Sequence, residues 1–171
     1  MKKLLLLGLA LVLCLSLCSC DFLQDVVDRT TNEEAESKVF EFDGLSIELT
    51  TDFLRLEITG TDYDFIVSDG TVTVMGMKME NAALNDLTAT EFAEYFCSLI
   101  AESAPTDVTH VNDIPTAQYV GTDDEGDRQT IAMMFYKGAD CFWLVCFGAE
   151  SEIFSDVYAA ICHYATSVTF A

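Results

Sequence analysis

The sequence predicts an α+β domain, a twisted and mainly antiparallel sheet with helices on its faces. Three observations carry that expectation. Short alternating apolar segments broken by turn residues run from Val39 to Met79 and again from Val108 to Phe147. Two stripes at helical spacing follow these strand regions, one after Thr88 and one after Ser151. The resulting order of hairpins, helix, hairpins, helix is not the strand-helix alternation of a parallel βαβ sheet.

Val39 to Phe42 and Leu45 to Leu49 alternate around Asp43-Gly44, which predicts a type I′ hairpin with Phe40, Phe42, Leu45, Ile47 and Leu49 on the core face. From Thr50 to Gly60 the pattern supports two readings. Leu54, Leu56 and Ile58 alternate like a strand, while Thr51-Asp52-Phe53 suits the start of a helical turn. A second hairpin joins Tyr63–Val67 to Thr71–Met79 through Ser68-Asp69-Gly70. Thr88 and Glu91 then form a capping box, with Leu87 and Phe92 at the staple positions. Phe92, Phe96, Leu99 and Ile100 make one stripe, and Pro105 ends the helix. A variable strand region covers Val108 to Val120. The runs Ile131–Tyr136 and Cys141–Phe147, joined through Lys137-Gly-Ala-Asp140, are apolar on both faces and so predict central strands covered on both sides. The last helix, capped by Ser151, places Phe154, Val157, Tyr158, Ile161 and Ala165 on one stripe.

The first residues carry a different signal. Lys2 and Lys3 precede an apolar run from Leu4 to Leu17, too short to span a bilayer and followed by small residues, as in a secretory signal peptide. Leu17-Cys18-Ser19-Cys20 resembles the lipobox of bacterial lipoprotein precursors, with residues 1–19 as signal peptide and Cys20 as the lipid attachment site. The resemblance implies a diacylglycerol on that sulfur, with palmitate-type chains holding the protein to the extracytoplasmic side of the cell membrane. Cys18 fits the pattern less well, because Leu17 would stand where a small residue belongs. A plain secreted product cut near the same place is the simpler alternative. Asp21 after the thiol resembles an inner-membrane retention signal, which has meaning only in a two-membrane envelope. Residues 20–38 read as a lipidated cysteine and acidic tether, and 39–171 as a single domain large enough to bury a core.

Charge narrows the class of partner. The chain has 8 basic and 29 acidic residues, and loss of Lys2 and Lys3 leaves six bases against 29 acids, a net charge of −23. Such a field opposes nucleic acid and anionic head groups, so no nucleic-acid partner is expected.

Gly44-Leu-Ser-Ile-Glu-Leu49 followed by Asp52-Phe53, the Phe142–Phe147 strand, and the closing helix running into Ser167-Val-Thr-Phe170 resemble the small lipoproteins of the PsbP-like α/β/α sandwich class. That class shares its fold with a photosystem extrinsic subunit and a Ran-binding import factor. The proline typical after the second strand is replaced here by Thr50-Thr51. The resemblance implies a binding or scaffold role and names no ligand.

Candidate chemistry is sparse. Cys97, Cys141, Cys146 and Cys162 are even in number and exported, which permits two disulfides. Cys141 and Cys146, however, face opposite sides of one strand and cannot pair there, and buried thiols are the favoured reading. Met75, Met77 and Met79 alternate on one strand face, a pattern compatible with a copper(I) carrier and equally with core filling. Asp123, Asp124, Glu125 and Asp127 match no EF-hand loop and suit a solvated turn. His163 falls opposite the core stripe of its helix, and His110 lies between Asp107 and Asp113 in an extended stretch. No nucleophile elbow, P-loop, dinucleotide fingerprint or zinc-ligand pair occurs. The expected function is a non-catalytic binding or accessory module of the cell envelope with no cofactor, no catalytic or metal residues, and an envelope protein as partner. An envelope hydrolase or transferase would instead show His110 converging with a carboxylate or thiol in a pocket. A metal carrier would show Met75, Met77 and Met79 open to solvent.

Overall fold

The computed structural model describes residues 36–57, 62–80, 84, 86–101, 107–122 and 126–171. The signal peptide, Cys20 and nearly all of the tether lie outside the described residues, as do Pro105 and the acidic positions 123–125.

Among the described residues, two antiparallel sheets and two helices make the fold. The small sheet has the order β1-β2-β10, from β1 (Ser37–Phe42), β2 (Leu45–Thr50) and β10 (Thr169–Phe170). The large sheet has the order β3-β4-β5-β9-β8-β7-β6. Its strands are β3 (Leu54–Arg55), β4 (Phe65–Ser68), β5 (Thr73–Met79), β6 (Thr109–Val111), β7 (Ile114–Thr122), β8 (Arg128–Lys137) and β9 (Phe142–Glu150). Helix α1 (Ala89–Ile100) covers one face of the large sheet, and α2 (Phe154–Thr166) together with the small sheet covers the other. This is the α+β arrangement that the hairpin and helix order predicts.

The core divides along the large sheet because side chains alternate across its strands. Val145, Phe147 and Trp143 of β9 face the small sheet and α2, while Phe142, Leu144 and Cys146 face α1. Both sets are buried, so β8 and β9 are central strands apolar on both faces. Phe40, Leu45, Ile47 and Leu49 are buried between the sheets and Phe42 packs beside them, as the first hairpin predicts.

Helix α1 begins as its sequence dictates. The Thr88 hydroxyl accepts from the Glu91 N–H and the Glu91 carboxylate accepts from the Thr88 N–H, so two otherwise orphaned donors are satisfied. Those bonds hold the Glu91 carboxyl below its usual pKa. The buried stripe is Phe92, Ala93, Phe96, Cys97 and Ile100, whereas Leu99 is exposed. The expected stripe was one position too wide, because Cys97 takes the inward position that Leu99 was given.

Other local expectations change on contact with the fold. Gly44 has φ +83° and Asp43 does not have positive φ, so the first hairpin turn is not type I′. The type I′ signature occurs instead at Asn112 (φ 49°) and Asp113 (φ 67°), which join β6 to β7 within the region read as one variable strand. Asp113 pays a steric penalty in the left-handed region that glycine lacks. Asp113→Gly is therefore expected to raise unfolding free energy by roughly 0.5–1 kcal/mol, a gain that a urea titration would register as a higher midpoint at unchanged slope. Ser151 does not cap α2. Its hydroxyl bonds to Thr130 Oγ1 at 2.8 Å, and the helix starts after Ile153 without a side-chain cap.

Candidate functional site

The residues singled out for chemistry do not assemble. His110 lies exposed on the edge strand β6, with Nε2 3.2 Å from the Thr90 hydroxyl at the start of α1. Farther along the same helix an open groove of about 400 Å³ is lined by Glu94, Cys97, Ser98, Ala101, Asp107 and Val108. A thiol and two carboxylates border it, but His110 is not among the lining residues. Burial pushes the Cys97 thiol above its usual pKa, so it is a neutral thiol at physiological pH and a poor nucleophile or metal ligand. His163 is exposed on α2, where helical spacing placed it.

The methionine strand faces inward. Met75 and Met77 are buried on the α1 face, and Met79 packs half-buried against the same cluster. Their thioethers fill space beneath neighbouring side chains, which is not the solvent-open arrangement a copper carrier would present. None of the four described cysteines is bridged. Cys141 packs toward the small-sheet side and Cys146 toward α1, the opposite-face placement that strand alternation requires. Among the described residues, no three His, Cys, Asp or Glu side chains gather as a metal site.

What sequence reasoning missed is how the scarce cations are used. Lys38 lies 4.5 Å from the Phe40 ring centre and its Nζ donates to the carbonyls of Thr51 and Phe53. Arg55 stacks 4.7 Å over Phe42 and donates to the Glu41 carbonyl. These two side chains close the seam between β1 and β3. Lys78 pairs with Asp43 at 2.8 Å and Glu80 at 2.9 Å, tying the first turn to β5, and these bonds push its pKa up. Lys137 donates to the Leu87 carbonyl at 2.7 Å. With these four cations committed to structural contacts, the outward surface is dominated by carboxylates.

On the buried side, the Tyr136 hydroxyl donates to the Ala165 carbonyl at 2.9 Å, near the end of α2. Burial pushes its pKa far above the ordinary phenol value. Its contribution to stability is constant below about pH 10, where an unfolded tyrosine ionises. It is lost as pH rises further, because only the unfolded chain gives up the proton. Tyr136→Phe is expected to cost about 1 kcal/mol at neutral pH. Denaturation midpoints measured from neutral to strongly alkaline pH should also fall less steeply in the variant. Burial raises Tyr158 and Tyr164 too, so the alkaline loss is reduced and not abolished.

An antiparallel seven-stranded sheet with a separate core on each face, one closed by α1 and the other by α2 with the small sheet, defines an α/β/α sandwich. No protein-family model matches the sequence, and no curated protein matches it either. Solved structures do match. CyanoP, the cyanobacterial PsbP of Synechocystis sp. PCC 6803, superposes with a TM-score of 0.52 at 11% identity, over 90% of this chain and 98% of that one. The Ran-binding protein Mog1p of Saccharomyces cerevisiae gives 0.51 at 9% identity, over 80% of this chain and 96% of that one. A protein of Bacteroides thetaiotaomicron gives 0.53 at 10% identity over 74% of this chain, which spans only 45% of that neighbour's length. At such identities the likeness establishes the PsbP-like fold.

Proposed function

We propose that this protein is a lipid-anchored, exported accessory module of the cell envelope that binds another protein and performs no chemistry of its own. The observation that carries the location is Leu17-Cys18-Ser19-Cys20 after an apolar run and two lysines. The binding role draws support from the fold, since Mog1p of the same architecture is a Ran-binding protein. It is supported further by the separation of His110 from the Cys97 groove: the imidazole meets the exposed Thr90 hydroxyl and is not among the residues that line the groove. The anionic surface favours a partner presenting lysines or arginines. Among the described residues no helix is long and apolar enough to cross a membrane, so attachment in this reading falls to the acyl chains on Cys20.

Cross-linking in intact cells, followed by purification and identification of the adducts, tests the proposal. One reproducible protein adduct whose yield falls as salt is raised supports it. Recovery of lipid alone counts against the binding role while leaving the anchor standing.

A further inference from the structure

The edge strand β3 carries an apolar strip that nothing described covers. Leu54 is 61% exposed and Leu56 41%. Strand pairing tells which face they occupy. Leu54 lies opposite Ser68 and Arg55 opposite Val67, and the Leu56 N–H donates to the Ile66 carbonyl at 2.9 Å. Val67 belongs to the core under the small sheet, where Arg55 stacks over Phe42. Leu54 and Leu56 therefore project from the α1 face, beside Ile66. Helix α1 packs over β7 and β8, toward the opposite end of the sheet from β3.

The chain preceding the described residues ends at the small sheet, on the other face of the large sheet from this strip and one short connection from β3. The Glu36 carbonyl accepts from the Thr51 N–H at 2.8 Å, three residues before Leu54. Upstream, Phe22, Leu23, Val26 and Val27 are spaced to share one side of a helical turn. From Val27 to Glu36 the chain can extend about 30 Å, enough to round the edge of a sheet. Covalent attachment gives such a segment an effective concentration on the order of millimolar, so a contact too weak to form between separate molecules is populated within one.

The geometry points to self-docking, in which Phe22, Leu23, Val26 and Val27 cover the Leu54–Leu56 strip. The segment also carries Asp21, Asp25 and Asp28, which a strongly acidic domain repels. Apolar burial must overcome that repulsion, and salt screens it. Docking therefore tightens as ionic strength rises, opposite in sign to the salt response of binding to a cationic partner.

Hydrogen exchange of the full chain in detergent tests this. The amides of residues 22–27 should exchange about tenfold or more slowly relative to an L54D/L56D variant, with the difference growing from low to high salt. Both substituted positions are exposed, and the fluorescence of the buried Trp143 reports whether the variant folds. If it does not, F22D/V26D supplies the reciprocal readout, faster exchange at the β3 amides. Coil-like exchange of 22–27 in the unmodified chain overturns the inference. Protection that persists in L54D/L56D assigns the segment to the detergent or lipid surface and overturns it equally. Protection that disappears on dilution means a second copy covers the strip, and that too is a refutation.

Discussion

Cys20→Ser should shift the protein from the membrane fraction to the medium or periplasm and remove the mass of the acyl chains. The expected effect is large because each buried methylene is worth about 0.8 kcal/mol. One myristoyl-length chain holds a protein only marginally, whereas two or three make release negligible on a cellular timescale. No other attachment replaces them in this reading. The proposed signal-peptide cleavage would remove the apolar run Leu4–Leu17, and an acidic domain is repelled by anionic head groups. Fractionation and intact-mass measurement of both forms check it. A variant still in the membrane, at the mass of the unaltered protein, would sink the lipid-anchor assignment.

Gly76→Ala should be the most damaging single-methyl change in the fold. Gly76 pairs with Phe65 across β4 and β5, and a Cβ added there would lie 1.9 Å from Phe65 Cε1 and 2.3 Å from Cζ. The ring cannot withdraw easily. It stacks on Phe42 with centroids 3.6 Å apart and has Trp143 at 6.1 Å on the same core face. Overpacking of this kind costs about 3 kcal/mol. Truncating the ring itself, Phe65→Ala, should cost about 3–5 kcal/mol through the cavity it leaves. The informative experiment is the double variant. If the glycine exists to admit the ring, G76A/F65A should be little worse than F65A alone, a coupling of more than 1 kcal/mol. Strict additivity in urea unfolding followed by Trp143 fluorescence would refute the explanation.

That pair illustrates why part of this fold is visible in the sequence and part is not. Gly76 reads locally as a weak point inside a strand of methionines, since nothing nearby in sequence announces that an aromatic ring from β4 occupies its empty side. The first hairpin and α1 were legible because their signals are short range. Alternation fixes the inward face of β1 and β2, and the Thr88–Glu91 capping box closes within four residues. Leu54, Leu56 and Ile58 show the opposite case. Their alternation is that of a core strand, yet Leu54 and Leu56 point outward at the sheet edge, while Phe53, read as part of a possible helical turn, is fully buried. Ile58 lies outside the described residues. Ser151 looked like a cap because it precedes a helical stripe, but the nearby Thr130 hydroxyl on β8 engages it instead.

The candidate site divides in the same way. The residue types that could carry chemistry were all visible in advance, but the groove formed by Glu94, Cys97 and Asp107 was not, since it depends on how α1 lies against the start of β6. The roles of Lys38 and Arg55 were equally hidden, because Arg55 reaches from β3 to Glu41 on β1 and Lys38 reaches from β1 to the connection at Thr51 and Phe53.

By itself the sequence determined the export leader and its lipid-type cysteine as expectations, the excess of carboxylates, the antiparallel hairpins, both helices, and the two strands apolar on each face. Those properties are set by composition and by periodicities of two or 3.6 residues, which neighbours along the chain are enough to define. Only the tertiary structure decided that β5 lies beside β9, that the methionine strand faces the core, that Phe65 fills the space over Gly76, and that Leu54 and Leu56 stand uncovered. Each of these depends on which distant segment comes to lie opposite, a choice made by burial and pairing summed over the whole sheet and carried by no local pattern.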